Sequence, residues 1–413
     1  MRGTRVWARL AGLQRAVVEG VWIGSEGELV VSARPVWRER DRCGVCRRRS
    51  PGFDLGEGRR RWRALDLGIA RAFVEADAPR VRCRAHGVVV CALPWARHAS
   101  RFTRSAEEQI CWLAVHTSKT AVAALMRVAW RTVGDICERV MADAERRDGG
   151  RLDGVRRVGI DEISWRKGQR YLTVVVDHDS GRLVWAAPGA NAEVLSGFFA
   201  LLGPERCAEI ELTSADMGAW IAKAARRACP QAELCLDPFH IVALATDALD
   251  EIRREVWNEA RRAGQTQIAH ELKGARWALW KNPDRLTGRQ AAKLAALQQT
   301  NRKLYRAYLL KEQLREIFRL PAAADAIAPL DRWIAWARRC RLAPFVRLSR
   351  TLTEHWTGIA AAVLHRLSTA RIEAANPRIR PIARRAFGVH SPDAPIALAK
   401  LTLGGYCPPL PGR

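Results

Sequence analysis

No run of about 18 apolar residues, the length a membrane-spanning helix requires, occurs in this 413-residue chain. No clean apolar stretch or small-residue cleavage site follows the basic start "MRGTRVWARL", so no signal peptide is expected and the chain is placed in the cytoplasm. Acidic residues are scarce: 43 Asp and Glu stand against 69 Lys and Arg, a net charge of +26, with an isoelectric point near 10.7. That excess says nothing about fold, but it attracts polyanions. Nucleic acid is the first such partner to consider, and an anionic membrane surface the second. A secreted disulfide framework is missing too, because the eleven cysteines are odd in number and scattered. Cys137, Cys207, Cys229 and Cys340 sit singly in apolar patterns and read as buried free thiols. The length suits roughly two to four domains.

The cysteines that do cluster lie near the N-terminus. "CGVC" (43–46) and "CRAH" (83–86) each set two metal-binding side chains on a tight hairpin. Cys43, Cys46, Cys83 and His86 form the set expected of a closed, four-coordinate structural zinc site. Cys91 is an alternative to His86 as fourth ligand, and unrelated core thiols are the plainer reading of the cluster. Short strands between the hairpins ("RRWRALDL", "RAFVEA", "RVRCRA") make about 40–95, within a region 1–102, a zinc ribbon whose arginines suit DNA phosphates.

Residues 103–148 read as a helical, DNA-binding domain. "KTAVAALMRVAWRTVGDICERV" (119–140) has helix-turn-helix spacing: a first helix over 121–126, a turn at 127–129 and a recognition helix over 130–140. Trp130, Arg131 and Thr132 are its DNA-contacting candidates, and Arg127 stands where the turn normally holds glycine. An ordinary helical hairpin is the alternative. "RRDGG" (146–150) then reads as a linker.

Beyond it the pattern turns to short apolar strands. "RRVGIDEI", "RYLTVVVDHD" and "GRLVWAAPG" predict an antiparallel meander. A helix (192–202), the strand "AEIELTSAD", a helix (217–228), the strand "AELCLDPFH" and a long helix from 241 follow. This order is that of a ribonuclease H-like fold, in which the first and fourth strands are neighbours, so Asp161 and Asp216 meet. Two carboxylates so placed repel unless a cation lies between them, and Mg2+ or Mn2+ is the usual solution. Side chains alternate along a strand, so Glu162 is expected to point away from the metal that Asp161 faces. Asp237 is a weaker candidate one strand further out, and Asp177 and Asp179 are expected in a solvated turn. From 241 to 367 the chain reads as helical; Trp277, Trp280, Trp333 and Trp336 are expected to pack helices together, with base stacking the alternative. In "STARIEAANPRIRPIARRAFG" (368–388), Glu373 is either a salt-bridge partner or a third metal ligand. It precedes Asn376 and the basic run Arg378, Arg380, Arg384 and Arg385.

"GIDEISWRKGQRYLTVVVDHDSGRLVW", "SADM", "LDPFH" and "RIEAANPRIRPIARRAFG" resemble the DDE transposases of bacterial insertion sequences, most closely the ISL-three family. The resemblance runs from about residue 40 to the C-terminus. It implies a multidomain α+β chain: zinc ribbon, helix-turn-helix, and a ribonuclease H-like catalytic domain (155–262) carrying a long all-helical insertion (263–367) and closed by 368–413. It assigns the acidic triad to Asp161, Asp216 and Glu373, which stand 55 and 157 residues apart. Thr369 takes a position where asparagine is usual, and Pro377 follows Asn376. The implied function is DNA transposition: binding of terminal inverted repeats, then strand cleavage and strand transfer with two Mg2+ or Mn2+ ions. The implied partners are double-stranded DNA at the element ends and the target, with Asn376, Arg380, Arg384 and Arg385 on flanking phosphates. A homodimer or larger assembly on DNA and a place on the nucleoid follow. A non-catalytic DNA-binding regulator and a nuclease for RNA–DNA hybrids are the competing readings.

Overall fold

Residues 3–166, 168, 170–320, 324–365 and 391–412 are described by the structure, a computed structural model. They divide into two units, one comprising 3–151 with 391–412 and the other 152–365.

In the first unit, helix α1 (Gly3–Leu10) is followed by β1 (Ala16–Ile23) and β2 (Leu29–Pro35). These strands join β5 (Ala72–Asp77) and β4 (Arg59–Arg63) in a sheet of order β1-β2-β5-β4. Strand β2 pairs with β5 in parallel and the other neighbours are antiparallel. A three-stranded antiparallel sheet, β3 (Gly52–Asp54), β6 (Arg80–Cys83) and β7 (Gly87–Val90), forms the ribbon itself. Alternation drives both sheets inward: Val74 is fully buried in β5, and Val81 and Cys83 are buried in β6.

Helices α2 (Arg104–His116), α3 (Lys119–Met126) and α4 (Trp130–Arg147) complete this unit. Thr103 caps α2 and Ser118 caps α3, each side chain accepting a backbone N–H three residues on. The turn between α3 and α4 falls on 127–129, as the spacing predicts. Arg127 adopts the left-handed conformation there, φ 51° and ψ 48°, which costs an L-residue about 1–2 kcal/mol. Its guanidinium donates to the Ile69 carbonyl at 3.2 Å and pairs with Asp66 at 3.5 Å.

The C-terminal helix Asp393–Leu403 packs on α4 and α2, and Ala397, Leu398 and Leu401 join Ile110, Val133 and Ile136 in one core. The described part of the segment expected to close the catalytic domain is therefore grouped with α2 and α4 in the first unit.

The second unit is built on a five-stranded sheet of order β10-β9-β8-β11-β12. Its strands are β8 (Arg157–Arg166), β9 (Arg170–Asp177), β10 (Leu183–Pro188), β11 (Leu212–Ala215) and β12 (Glu233–Leu236). The first three form the antiparallel meander, while β11 runs parallel to both β8 and β12. Helices α5 (Ala192–Glu209, broken at Gly203) and α6 (Ala219–Ala228) supply Leu195, Phe198 and Ile221 to the core that buries Val158 and Ile160. Strand β8 outruns the expected end at residue 163, because β9 stays paired with it, past a register shift, as far as Arg166 and Arg170. Asp177 is not solvated: it is 5% exposed, and its carboxylate closes the following turn by accepting the backbone N–H groups of Asp179 and Ser180 at 3.1 Å.

From Pro238 to Leu364 the described residues are mostly helical. The 25-residue α7 (Pro238–Arg262) is the spine against which helices Arg302–Ile317 and Ala343–Glu354 pack. Trp333 is 1% exposed and donates its indole N–H to the Leu310 carbonyl at 2.8 Å. Trp280 and Trp336 border the same core. Trp277 does not pack as expected; it is 58% exposed and meets Trp280 edge-on.

Candidate active site and metal centre

Parallel register determines which acids meet. Ser214 in β11 pairs with Gly159 in β8, and Ala215 pairs with Leu236 in β12. Continued along each strand, the same register sets Asp161, Asp216 and Asp237 in a row where β11 and β12 end. Asp161 and Asp216 are half-buried, whereas Asp237 is 3% exposed.

Each aspartate is oriented locally. Asp161 Oδ1 accepts the Glu162 N–H at 2.7 Å and Asp216 Oδ1 accepts the Gly218 N–H at 2.9 Å. A Cβ on Gly218 would lie 2.7 Å from Asp216 Oδ1, so only glycine leaves that carboxylate where it is. Asp237 is committed elsewhere: Oδ1 caps α7 through Phe239 N, and Oδ2 accepts from His240 Nδ1, both at 2.9 Å. Pro238 at the first helical position completes that cap.

Glu162 turns to the opposite face from Asp161, where it accepts the Trp220 indole N–H at 2.9 Å. Burial raises its carboxyl above the usual range, Asp216 and Asp161 add to the rise, and the Trp220 bond opposes it. His240, 41% exposed at its side chain, is the residue that motif reading left without a role. Its imidazole is raised chiefly by the Asp237 hydrogen bond, against burial, with Asp161 and Asp216 contributing. Its three-residue spacing from Asp237 across a helix start was the signal in the sequence. Glu373, Asn376, Arg380, Arg384 and Arg385 lie outside the described residues.

Cys43, Cys46, Cys83 and His86 converge, with their ligand atoms all within 4.8 Å of one another. Cys46 Sγ lies 3.7 Å from Cys83 Sγ, and His86 Nδ1 lies 3.7 Å from Cys43 Sγ and 3.6 Å from Cys83 Sγ. A tetrahedral ion about 2.3 Å from sulfur and about 2.0 Å from nitrogen sets edges of roughly 3.8 and 3.5 Å. The donor set fits zinc in kind and in size. His86 beside it lowers the Cys83 thiol to about 6. Cys91 stands outside the cluster, bridged to Cys43 through the backbone, with its thiol pushed up to about 11 by burial.

At the start of α4, Arg131 is exposed, while Trp130 and Thr132 are half-buried. The Lys119 ammonium lies 3.7 Å from the centre of the Trp130 ring and covers one face.

Residues 158–398 match the family described as transposase, of ISL3 type. Residues 91–141 match the helix-turn-helix domain of transposase family ISL3, and 39–86 the zinc-finger of transposases IS204, IS1001, IS1096 and IS1165. The chain belongs to the ISL3 family of transposases. It is 49% identical over 438 residues to the transposase for insertion sequence element IS1557 of two Mycobacterium tuberculosis strains, covering 100% of this chain and 98% of each relative. It is 29% identical to the transposase for IS1001 of Bordetella parapertussis, over 79% of this chain and 80% of that one. Helix α1 and strands β1 and β2 precede all three matches, and the transposase match runs on to residue 398, within the C-terminal helix that joins the core of α2 and α4. No helix among the described residues is long and apolar enough to cross a membrane.

Proposed function

We propose that this ISL3-family chain is the transposase of an insertion sequence, which binds the element's terminal inverted repeats and cuts and joins DNA strands at the Asp161–Asp216 site. The observation that carries the reading is the register that sets these two half-buried carboxylates side by side at adjoining parallel strands.

The second unit is, in this reading, a ribonuclease H-like domain whose helices beyond α7 are an insertion, with Glu373 as the third acid. Asp161, Asp216 and Glu373 would hold two Mg2+ or Mn2+ ions, which supply nucleophile activation and stabilise charge on the leaving 3′-oxygen. Two features of the chain support the fit. The donors are hard carboxylate oxygens of the kind Mg2+ takes, and their negative charge adds to the rise that burial gives Glu162 and that the Asp237 bond gives His240. Gly218 and the Glu162 amide fix the two carboxylates before substrate arrives. Asp237 holds His240 at the rim, where its imidazole can donate to a phosphate oxygen.

Zinc held by Cys43, Cys46, Cys83 and His86 would fix the ribbon, and Arg131 at the start of α4 would enter the major groove. Double-stranded DNA is the substrate, and joining two ends calls for a homodimer or larger assembly working on the nucleoid.

The test is cleavage of a duplex carrying the DNA that flanks the gene. Mg2+-dependent nicking should be lost in Asp161→Asn and Asp216→Asn while binding persists. Undiminished cleavage in both variants would overturn the site.

A further inference from the structure

We propose that the first unit carries a second DNA contact, separate from the start of α4: a notch that grips one backbone phosphodiester between Arg47 and Arg101. The proposal rests on the reading of the chain as a DNA-binding transposase and adds a site to it.

The notch has a volume of about 470 Å3 and is walled by the zinc knuckle on one side and the loop 96–101 on the other. Its arginines are not equivalent. Arg97 is spent: it is 2% exposed at its side chain and pairs with Glu107, Glu108 and Asp143 at 3.0, 2.8 and 2.9 Å. Arg61 is held by Glu75 and Glu28, and Arg60 by Glu57. Arg47 and Arg101 are exposed, and among the described residues neither has a carboxylate partner. Two guanidinium groups without a carboxylate partner among the described residues thus line the same notch, one from the knuckle and one from the loop. That number matches the two non-bridging oxygens of a phosphodiester, and guanidinium is the side chain best suited to them.

The knuckle is closely fitted against its neighbours. A Cβ on Gly44 would meet the Val90 carbonyl at 2.4 Å and His98 Nδ1 at 2.6 Å, so the knuckle presses directly on the opposite wall. Arg47 and Ala99 both adopt left-handed backbone, φ 58° and 57°, although neither is glycine. Strain of this kind persists where surrounding structure over-determines it, and it gathers at ligand clamps. The buried Arg97 network, with Ser100 Oγ donating to Glu107 at 2.7 Å, holds the loop rigid. Positive charge is also crowded here: burial lowers the Arg104 guanidinium, and Arg97 and Arg47 lower it further. Because the knuckle and the loop leading into α2 share the notch, a phosphate lodged in it would tie the ribbon to the helix-turn-helix on one DNA backbone.

The test measures affinity against salt for the full-length, zinc-loaded chain, on the duplex flanking its gene and on a shuffled duplex of equal composition. Arg47→Gly removes the guanidinium and accepts φ 58° without strain, so it should fold at least as well. Combined with Arg101→Ala, it should weaken both duplexes by the same factor, about 10-fold, and reduce the slope of log K against log salt by about 1. Arg47→Lys with Arg101→Lys should retain the slope. If the double variant loses zinc, Arg101→Ala alone, remote from the metal ligands, must show the reduced slope. An unchanged slope overturns the notch, as does a loss confined to the flanking duplex. So does displacement of the shuffled duplex by inorganic phosphate at constant ionic strength, which would mark a free-anion site. Failure of the wild-type chain to prefer its own flanking duplex would count against end recognition, while the slope on the shuffled duplex would still decide the notch.

Discussion

The indole N–H of Trp220 donates to Glu162 Oε1 at 2.9 Å, on the face of β8 opposite Asp161. One bond thereby gives different surroundings to two adjacent acids. Burial beside Trp220 favours the neutral form of Glu162, so Glu162→Gln keeps both the shape and the acceptor. It should retain cleavage within about 3-fold, a change under about 1 kcal/mol in the barrier. Asp161→Asn should lower cleavage by at least about 100-fold, the scale on which loss of one charge-stabilising group is felt. Gel assays of nicking on both variants check the contrast, and equal losses would remove the distinction between the two acids.

His240 and Asp237 make a pH-dependent pair. The folded imidazole lies above the ordinary histidine value of about 6.5, chiefly through its bond to Asp237. Its stabilisation is therefore fully present below about pH 6.5 and is lost as pH rises through the higher folded value. Because the ring is 41% exposed at its side chain, solvent screening limits the effect to about 1 kcal/mol. The denaturation midpoint of His240→Gln should fall below wild type at acid pH and converge with it at alkaline pH. Added Mg2+ should lower the histidine's titration midpoint in NMR, because Asp161 and Asp216 contribute to its rise.

Zinc removal separates Cys91 from the four ligands. Cys43→Ser, Cys46→Ser, Cys83→Ser or His86→Ala should each release the metal, with DNA binding falling more than about 10-fold, the low end of what loss of metal-site geometry costs. Cys91→Ala should keep one zinc per chain by atomic absorption. Zinc loss in Cys91→Ala would place Cys91 in the site after all.

How much of this was legible follows from which interactions are local. The meander and the position of Asp216 came from β-branched runs and turn residues, and strand order then brought Asp161 and Asp216 together. The pairing of β2 with β5 was not legible, because nothing in "ELVVSARP" names a parallel partner across some forty residues. Asp177 read as solvated because a charge after a strand usually is; only the fold reveals that its carboxylate satisfies two turn amides. The C-terminal helix was not read from the sequence, and nothing in "DAPIALAKLTL" names the helices whose core it completes. His240 stood in plain view in "LDPFH", three residues from its chief partner Asp237, but its nearness to Asp161 and Asp216 comes from strand order.

Arg127 tests the helix-turn-helix directly. A glycine there would relieve the left-handed backbone at φ 51°, a gain of about 1 kcal/mol. The half-exposed contacts to Asp66 and Ile69 would be lost, at about 0.5 kcal/mol. Arg127→Gly should therefore be neutral to slightly stabilising, raising the thermal midpoint by a few degrees at most. A marked fall would mean that the guanidinium holds the turn.

The tryptophans of the helical region divide into a packing role and an exposed one, and stability measurements can tell them apart. Trp333 is 1% exposed and its N–H satisfies the Leu310 carbonyl, so Trp333→Ala opens a cavity and orphans an acceptor together. A loss of about 3–5 kcal/mol is expected. Trp277, at 58% exposed, meets Trp280 edge-on and lies near Arg276, so Trp277→Ala should stay within about 0.5 kcal/mol of wild type. The exposed ring then contributes little to the fold. If Trp277→Ala lowers strand transfer while leaving the denaturation curve and duplex affinity unchanged, stacking on an unpaired base gains the support that packing cannot supply; unaltered transfer leaves Trp277 as surface.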